Sequence, residues 1–282
     1  MSMNEQLRGW ADLWLLDEAS IGQAALDYQV DDILSASERA QHERLPHPDG
    51  RFRYLGGRML MRYVLAAYTG VPPANLEFGV GAYDRPELAP NPDQLCFNLA
   101  HTSGLIGFLA TRNRLCGIDF ERRPARPELA EAVVRFLAPR ERAHLQALEE
   151  EEADITLQYR VVKGAYLRAL GAGLSRSPDG FTVRGLGSTG IGVEDRQAPE
   201  QAPEQAWQFE WHQLTAEHAV GLAIAGDRLA PGRIPIRILD FTTFLRAVFP
   251  AVGVAPGAHI EPTSNSRATI RSWPNRKEQD DR

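Results

Sequence analysis

A chain of 282 residues holds one large domain or two fused smaller ones, and its 43% hydrophobic content is enough for a sizeable core. A formal charge of -6 argues against a general nucleic-acid binder, so any anionic partner has to meet a local basic patch. No apolar run is long enough to span a bilayer and no secretory apolar segment opens the chain; Cys96 and Cys116 both sit in apolar, strand-like runs that suit buried reduced thiols, so the expectation is a cytoplasmic enzyme with neither membrane nor nucleic acid as partner.

In chain order, Trp10, Leu13, Trp14 and Leu15 read as an edge strand or short apolar segment. Ser35 ahead of Glu38 and Arg39 marks a helix start, and Pro46, Pro48 and Gly50 interrupt that helix. The strongest early helix runs over 51–68, with Leu55, Met59 and Leu65 at helical spacing. Gly56 and Gly57 weaken it intrinsically, so close packing or a ligand has to compensate. Its arginines, Arg51, Arg53, Arg58 and Arg62, form either a solvated basic face or a phosphate grip. Short strands are predicted over 76–80, 95–100, 105–111 and 115–121, then helices near 128–137 and 140–148 with Pro139 at the boundary. Glu149 to Glu152 is an acidic, solvated run. A second strong helix covers 155–170, with Ile155, Tyr159, Val162, Tyr166 and Ala169 on one stripe and Gly171-Ala172-Gly173 as its stop. Strands follow near 181–183, 207–211 and 219–225, separated by a flexible loop over 190–206. Beyond residue 231 the chain is rich in Pro, Gly and Arg, and its last 20 or so residues have a disordered composition.

Asp119 and Glu121 are the most informative residues. In a strand their carboxylates share one face while Ile118 and Phe120 point the other way. Two such carboxylates make a half-site for a hard divalent cation such as Mg²⁺. A hydrolase built on His101 with Ser103 or Thr102 is disfavoured, because neither an orienting acid nor a nucleophile elbow accompanies them.

Five ordered blocks make the chain resemble the Sfp-type 4′-phosphopantetheinyl transferases over roughly residues 34 to 225. They are Arg53-Tyr54-Leu55-Gly56-Gly57-Arg58, Tyr83-Asp84-Arg85-Pro86, Phe97-Asn98-Leu99-Ala100-His101-Thr102, Gly117-Ile118-Asp119-Phe120-Glu121, and Arg160-Val161-Val162-Lys163-Gly164-Ala165-Tyr166-Leu167-Arg168 followed by Gly171-Ala172-Gly173-Leu174-Ser175. The resemblance implies an α+β fold, a pseudo-twofold pair of similar α/β subdomains (1–112 and 113–230, with 231–282 as an extension) and an active site in the cleft between them. It implies transfer of 4′-phosphopantetheine from coenzyme A to a serine of an apo acyl or peptidyl carrier protein of fatty-acid, polyketide or peptide synthesis, with Mg²⁺, by a monomer. Carried over position by position, Asp119 and Glu121 hold the metal. Asp119, Glu121, Lys163 and His101 serve the chemistry, and Arg53, Arg58, Arg85, Pro86, His101, Lys163 and Arg168 bind coenzyme A. Lys163 and Arg168 are expected to line one cleft.

The chain departs from that pattern. Gly164 stands where the family carries its third acid, right after Lys163, and Arg160 replaces a tryptophan. A mid-helix glycine costs about 1 kcal/mol relative to alanine, so a neutral replacement would avoid it. Asp84 and Ala100 also differ. Two readings stay open: a transferase that dispenses with the third acid, or a repurposed relative that binds coenzyme A or a holo or acyl carrier protein and does other chemistry or acts as a partner.

Overall fold

The computed structural model describes residues 9–21, 33–81, 85–123, 133–148, 152–172, 175–186, 190–197, 207–226 and 233–248. In chain order the main elements are β1 (Ala11–Asp17), α1 (Ala36–Arg44), α2 (Pro48–Thr69), β2 (Phe78–Val80), β3 (Pro86–Leu88), β4 (Leu95–Thr102), β5 (Leu105–Arg112) and β6 (Cys116–Arg122). Then come α3 (Pro139–Gln146), α4 (Glu152–Leu170), β7 (Thr182–Arg184), β8 (Gly192–Glu194), β9 (Trp207–Gln213), β10 (His218–Ala225), β11 (Ile236–Asp240) and α5 (Phe241–Val248). The expected α+β class holds. Asp84, Gly173, Leu174, Glu149 to Glu151, most of the helix expected at 128–137 and the chain after 248 lie outside the described residues.

Two sheets form a sandwich between two long helices. One has the order β11-β1-β5-β4, the other β6-β10-β9. Alternation along each strand explains the layering. Leu13 and Leu15 of β1 and Leu105 and Leu109 of β5 join Ile118 and Phe120 of β6 and Val220, Leu222 and Ile224 of β10 in a core between the sheets. Trp14 and Leu16, on the other face of β1, pack with Leu55, Met59 and Val64 of α2. The outer face of the second sheet packs on α4 through Tyr159, Val162, Tyr166 and Ala169, the stripe its spacing foretells. Both long helices stop at a glycine in left-handed backbone, Gly70 (φ +75°) and Gly171 (φ +71°).

β1 is not the edge strand expected. It lies between β5, antiparallel, and β11, parallel. A strand covered on both faces loses the polar alternation that marks an edge or half-buried strand. β11 and α5 come from the segment read as an extension. Arg237 of β11 donates to both oxygens of buried Asp12 (2.6 Å each), which also accepts from Tyr68 Oη at 2.6 Å, while Phe241, Phe244 and Leu245 enter the core beneath α2. Residues 192–194, expected within a loop, pair with β7. Both cysteines are free; burial pushes the Cys116 thiol up to about 12, and Cys96 is half-buried.

Candidate active site

The site forms where α4 crosses β6. Gly117 on β6 and Gly221 on β10 allow the crossing: a Cβ at either would lie closer than 3.0 Å to helix backbone, at Ala165 and Ala169 for the first and at Val161 and Val162 for the second. With no side chain between them, helix and strands approach closely. Asp119 and Glu121 follow Gly117 at alternate positions, so they share its face and meet α4, while Ile118 and Phe120 turn into the inter-sheet core as expected. β6 is joined to β4 through Asn98, whose Oδ1 accepts from the Ile118 N–H at 3.1 Å. That bond places the His101 strand beside the Asp119 strand. Asn98 was visible within its block but had no role assigned from sequence.

Residues 160, 164 and 168 are stacked four apart on α4. Arg160 Nη1 donates to Asp119 Oδ2, and Arg168 Nε donates to Asp119 Oδ1 at 3.1 Å. Arg160 Nε also lies 3.9 Å from Glu121 Oε2. The Asp119 side chain is only 5% exposed, whereas those of Arg160 and Arg168 are 33% and 44% exposed. Gly164 sits between the two arginines. A Cβ there would fall closer than 3.0 Å to Asp119 Oδ2 and Arg160 Nη1, so the missing side chain is the space the ion pair fills.

Magnesium requires an octahedral shell of oxygens with free coordination positions. Here both Asp119 oxygens are taken by guanidinium groups, Glu121 faces one of them, and Gly164 adds no ligand. As arranged, Asp119 and Glu121 hold arginines and do not fit the ion.

Further basic residues lie near this pair. His101, at the end of β4, is exposed, yet atoms packed around its ring, and then the charges of Arg53 and Arg168, push its pKa below the ordinary histidine value. Arg53 Nε donates to Glu18 Oε1 at 2.9 Å, and Glu18 Oε2 accepts from the Gly104 N–H at 3.0 Å, tying α2 to the turn after His101. Nothing in the sequence singled out Glu18. Arg85 donates to the Ala169 carbonyl at 3.3 Å and to Glu87 at 3.0 Å. With Pro86, Gln94, Cys96 and Asn113 it lines a pocket of about 210 Å³. A larger pocket, about 530 Å³, lies on β9 around Glu210, Trp211 and His212, away from these residues.

Two expected ligand-binding cations are placed elsewhere. Arg58 lies five residues, or about 140° of helix, from Arg53. It sits over Tyr54 (5.1 Å) and 3.4 Å from Glu38. Lys163 is turned about 100° from Gly164 and is 3% exposed. Its Nζ donates to Glu141 Oε1 (2.8 Å), Glu141 Oε2 (2.7 Å) and the Phe181 carbonyl (2.8 Å). Burial lowers its pKa, with Glu141 pulling the other way. Lys163 therefore does not share a cleft with Arg168; it anchors α3 and β7 to α4.

No family model matches the chain. Curated relatives do. It is 32% identical over 171 residues to the 4′-phosphopantetheinyl transferase HetI of Nostoc sp., covering 57% of this chain and 72% of that protein. It is 32% identical over 152 residues to a Bacillus subtilis 4′-phosphopantetheinyl transferase (54% and 66%) and 28% identical over 170 residues to Bacillus subtilis Sfp (59% and 74%). The ordered sequence blocks and these relatives agree: the chain belongs to the 4′-phosphopantetheinyl transferases and is a transferase enzyme.

Proposed function

We propose that this chain transfers the 4′-phosphopantetheine arm of coenzyme A to a serine of an apo acyl or peptidyl carrier protein. The observation that carries the reading is the convergence of Arg53 and His101 from one half with Arg160 and Arg168 from the other, around Asp119 and Glu121. Coenzyme A bears a diphosphate and a 3′-phosphate, so it needs cations on more than one side. Arg85, which donates to the Ala169 carbonyl one residue beyond Arg168, borders a separate pocket with Pro86.

In the proposed step the serine oxygen bonds to the β-phosphorus, the bond from that phosphorus to the bridging oxygen breaks, and 3′,5′-ADP leaves. Glu121 takes the serine proton. It is half-buried and lies 3.9 Å from Arg160, whereas Asp119 has both oxygens committed. The exposed parts of Arg160 and Arg168 offset the charge that grows on the departing 5′-phosphate of 3′,5′-ADP. We read the halves as pseudo-twofold copies acting as a monomer. Each joins a short helix to a long one by a buried Glu–cation pair, Glu38–Arg62 and Glu141–Lys163.

Incubation with coenzyme A and apo carrier proteins, followed by intact mass, tests the reading; a carrier heavier by one phosphopantetheine supports it, and unmodified carriers throughout overturn it. The double hold on Asp119 favours one second reading, a chain that binds coenzyme A or a holo carrier without transfer. Tight binding by calorimetry together with unmodified carriers would select it.

A further inference from the structure

We infer that the guanidinium of Arg160 takes the place of a divalent cation in this site, so that the chain grips a diphosphate without metal. The inference rests on the coenzyme A reading above only for the identity of the ligand.

The charge balance comes first. Asp119 and Glu121 carry two negative charges, and Arg160 and Arg168 carry two positive ones within 4 Å of their oxygens. The carboxylates are thus matched before any ligand arrives, and a divalent ion would have to displace a covalently tethered cation from Asp119. Geometry comes second. Arg160 reaches both carboxylates, Nη1 to Asp119 and Nε towards Glu121, as one ion bridging two carboxylates would. It fits because residue 164 has no Cβ; any side chain there would occupy the space of the Arg160–Asp119 pair. Arg160 and Gly164 therefore work as one device. Exposure comes third. Asp119 is buried, but a third of the Arg160 side chain is open to solvent. An arginine held at its base by carboxylates is a pre-ordered phosphate donor, and its planar fork suits two phosphate oxygens at once.

Two measurements on the full chain separate the parts of this inference. In the first, Mn²⁺ is titrated into the ligand-free protein and followed by electron paramagnetic resonance. The wild type is expected to leave Mn²⁺ free up to about 1 mM, the weak end of protein sites for divalent cations. R160Q and the double variant R160Q/G164E are expected to gain a site that Asp119→Asn removes; circular dichroism checks folding, and R160Q adds no bulk should the double variant fail to fold. Wild-type Mn²⁺ binding abolished by Asp119→Asn overturns the inference whatever coenzyme A does. In the second, coenzyme A is titrated calorimetrically in EDTA and in Mg²⁺. The expected wild-type affinities agree within about twofold, and R160Q weakens binding about tenfold or more in EDTA, with Mg²⁺ restoring part of the loss through the site that variant gains. A tenfold loss for the wild type in EDTA, or an unchanged affinity of R160Q in EDTA, overturns it. Absence of coenzyme A binding in both buffers overturns the diphosphate half together with the proposed function, while the Mn²⁺ titration still decides whether Arg160 replaces the cation.

Discussion

The two halves solve one packing problem in two ways. In the first, Glu38 closes a capping box on Ser35 and receives Arg62 from α2 at 2.6 Å. In the second, Glu141 accepts from the Ala138 N–H at 2.7 Å at the start of α3 and receives Lys163 from α4. Arg62 spreads its donors over Glu38 and the carbonyls of Pro73 and Leu76, and Arg58 lies near the same carboxylate with a quarter of its side chain exposed. Lys163 is a single ammonium closed in by Glu141 and Phe181, and the Glu141 side chain is fully buried. The difference shows that a basic residue in a recognised block can serve the framework rather than the ligand. On α2, Arg53 faces the site and Arg62 the interior; on α4, Arg160 and Arg168 face the site and Lys163 the interior.

Removing each carboxylate gives the widest separation between the halves. Glu141→Ala leaves Lys163 buried without a counter-charge and strands the Val183 N–H, so it is expected to cost about 4 kcal/mol in urea unfolding. Glu38→Ala is expected to cost about half that, because Arg62 keeps two carbonyl acceptors. Equal losses would show that the clamps are equivalent.

Glycine substitution probes the second contrast. Gly56 and Gly57 on α2 face the ends of Ile106 and Leu99 side chains at 3.0 Å, which can move aside, whereas Gly117 on β6 faces the α4 backbone, which cannot. Gly117→Ala is expected to lose about 3 kcal/mol and Gly57→Ala under about 1 kcal/mol, by the same unfolding measurement. Gly164→Ala falls between. Helix propensity favours it by about 1 kcal/mol, but the new Cβ displaces Arg160 from a buried carboxylate, so the net expectation is a loss of about 1 kcal/mol. A net gain would mean that Asp119 swings clear at no cost.

The smallest effect concerns protons. The His101 pKa is depressed, by its packed surroundings first and then by Arg53 and Arg168, so the ring is neutral in the ligand-free protein near neutral pH. An anion stabilises the charged ring and raises that pKa, so binding takes up at most about one proton and tightens as pH falls through the ordinary histidine range. Coenzyme A calorimetry in buffers of different ionisation enthalpy measures this uptake, and H101Q is expected to lower it. An unchanged uptake would remove His101 from the phosphate site.

Much of the fold was legible because it is periodic. The stripe on α4 and the face shared by Asp119 and Glu121 follow from 3.6- and 2-residue repeats, the stop at Gly171 follows from glycine's freedom at a helix end, and all are present. β11 was not legible. Its five residues follow a Pro- and Gly-rich stretch, and its pairing with β1 is made more than 220 residues away in sequence. The interior place of β1 was hidden for the same reason, since only its partners reveal that both faces are covered.

The sequence by itself determined which residues share a strand face or a helix stripe, because backbone geometry sets those repeats locally. It also supplied the ordered blocks that carry the family. Only the tertiary structure decided which cations meet which carboxylates: that Lys163 answers Glu141, that Arg160 and Arg168 answer Asp119, and that Gly164 is the gap that lets them. Those choices depend on how closely α4 approaches β6 through Gly117 and Gly221, a distance fixed by contacts between elements far apart in the chain.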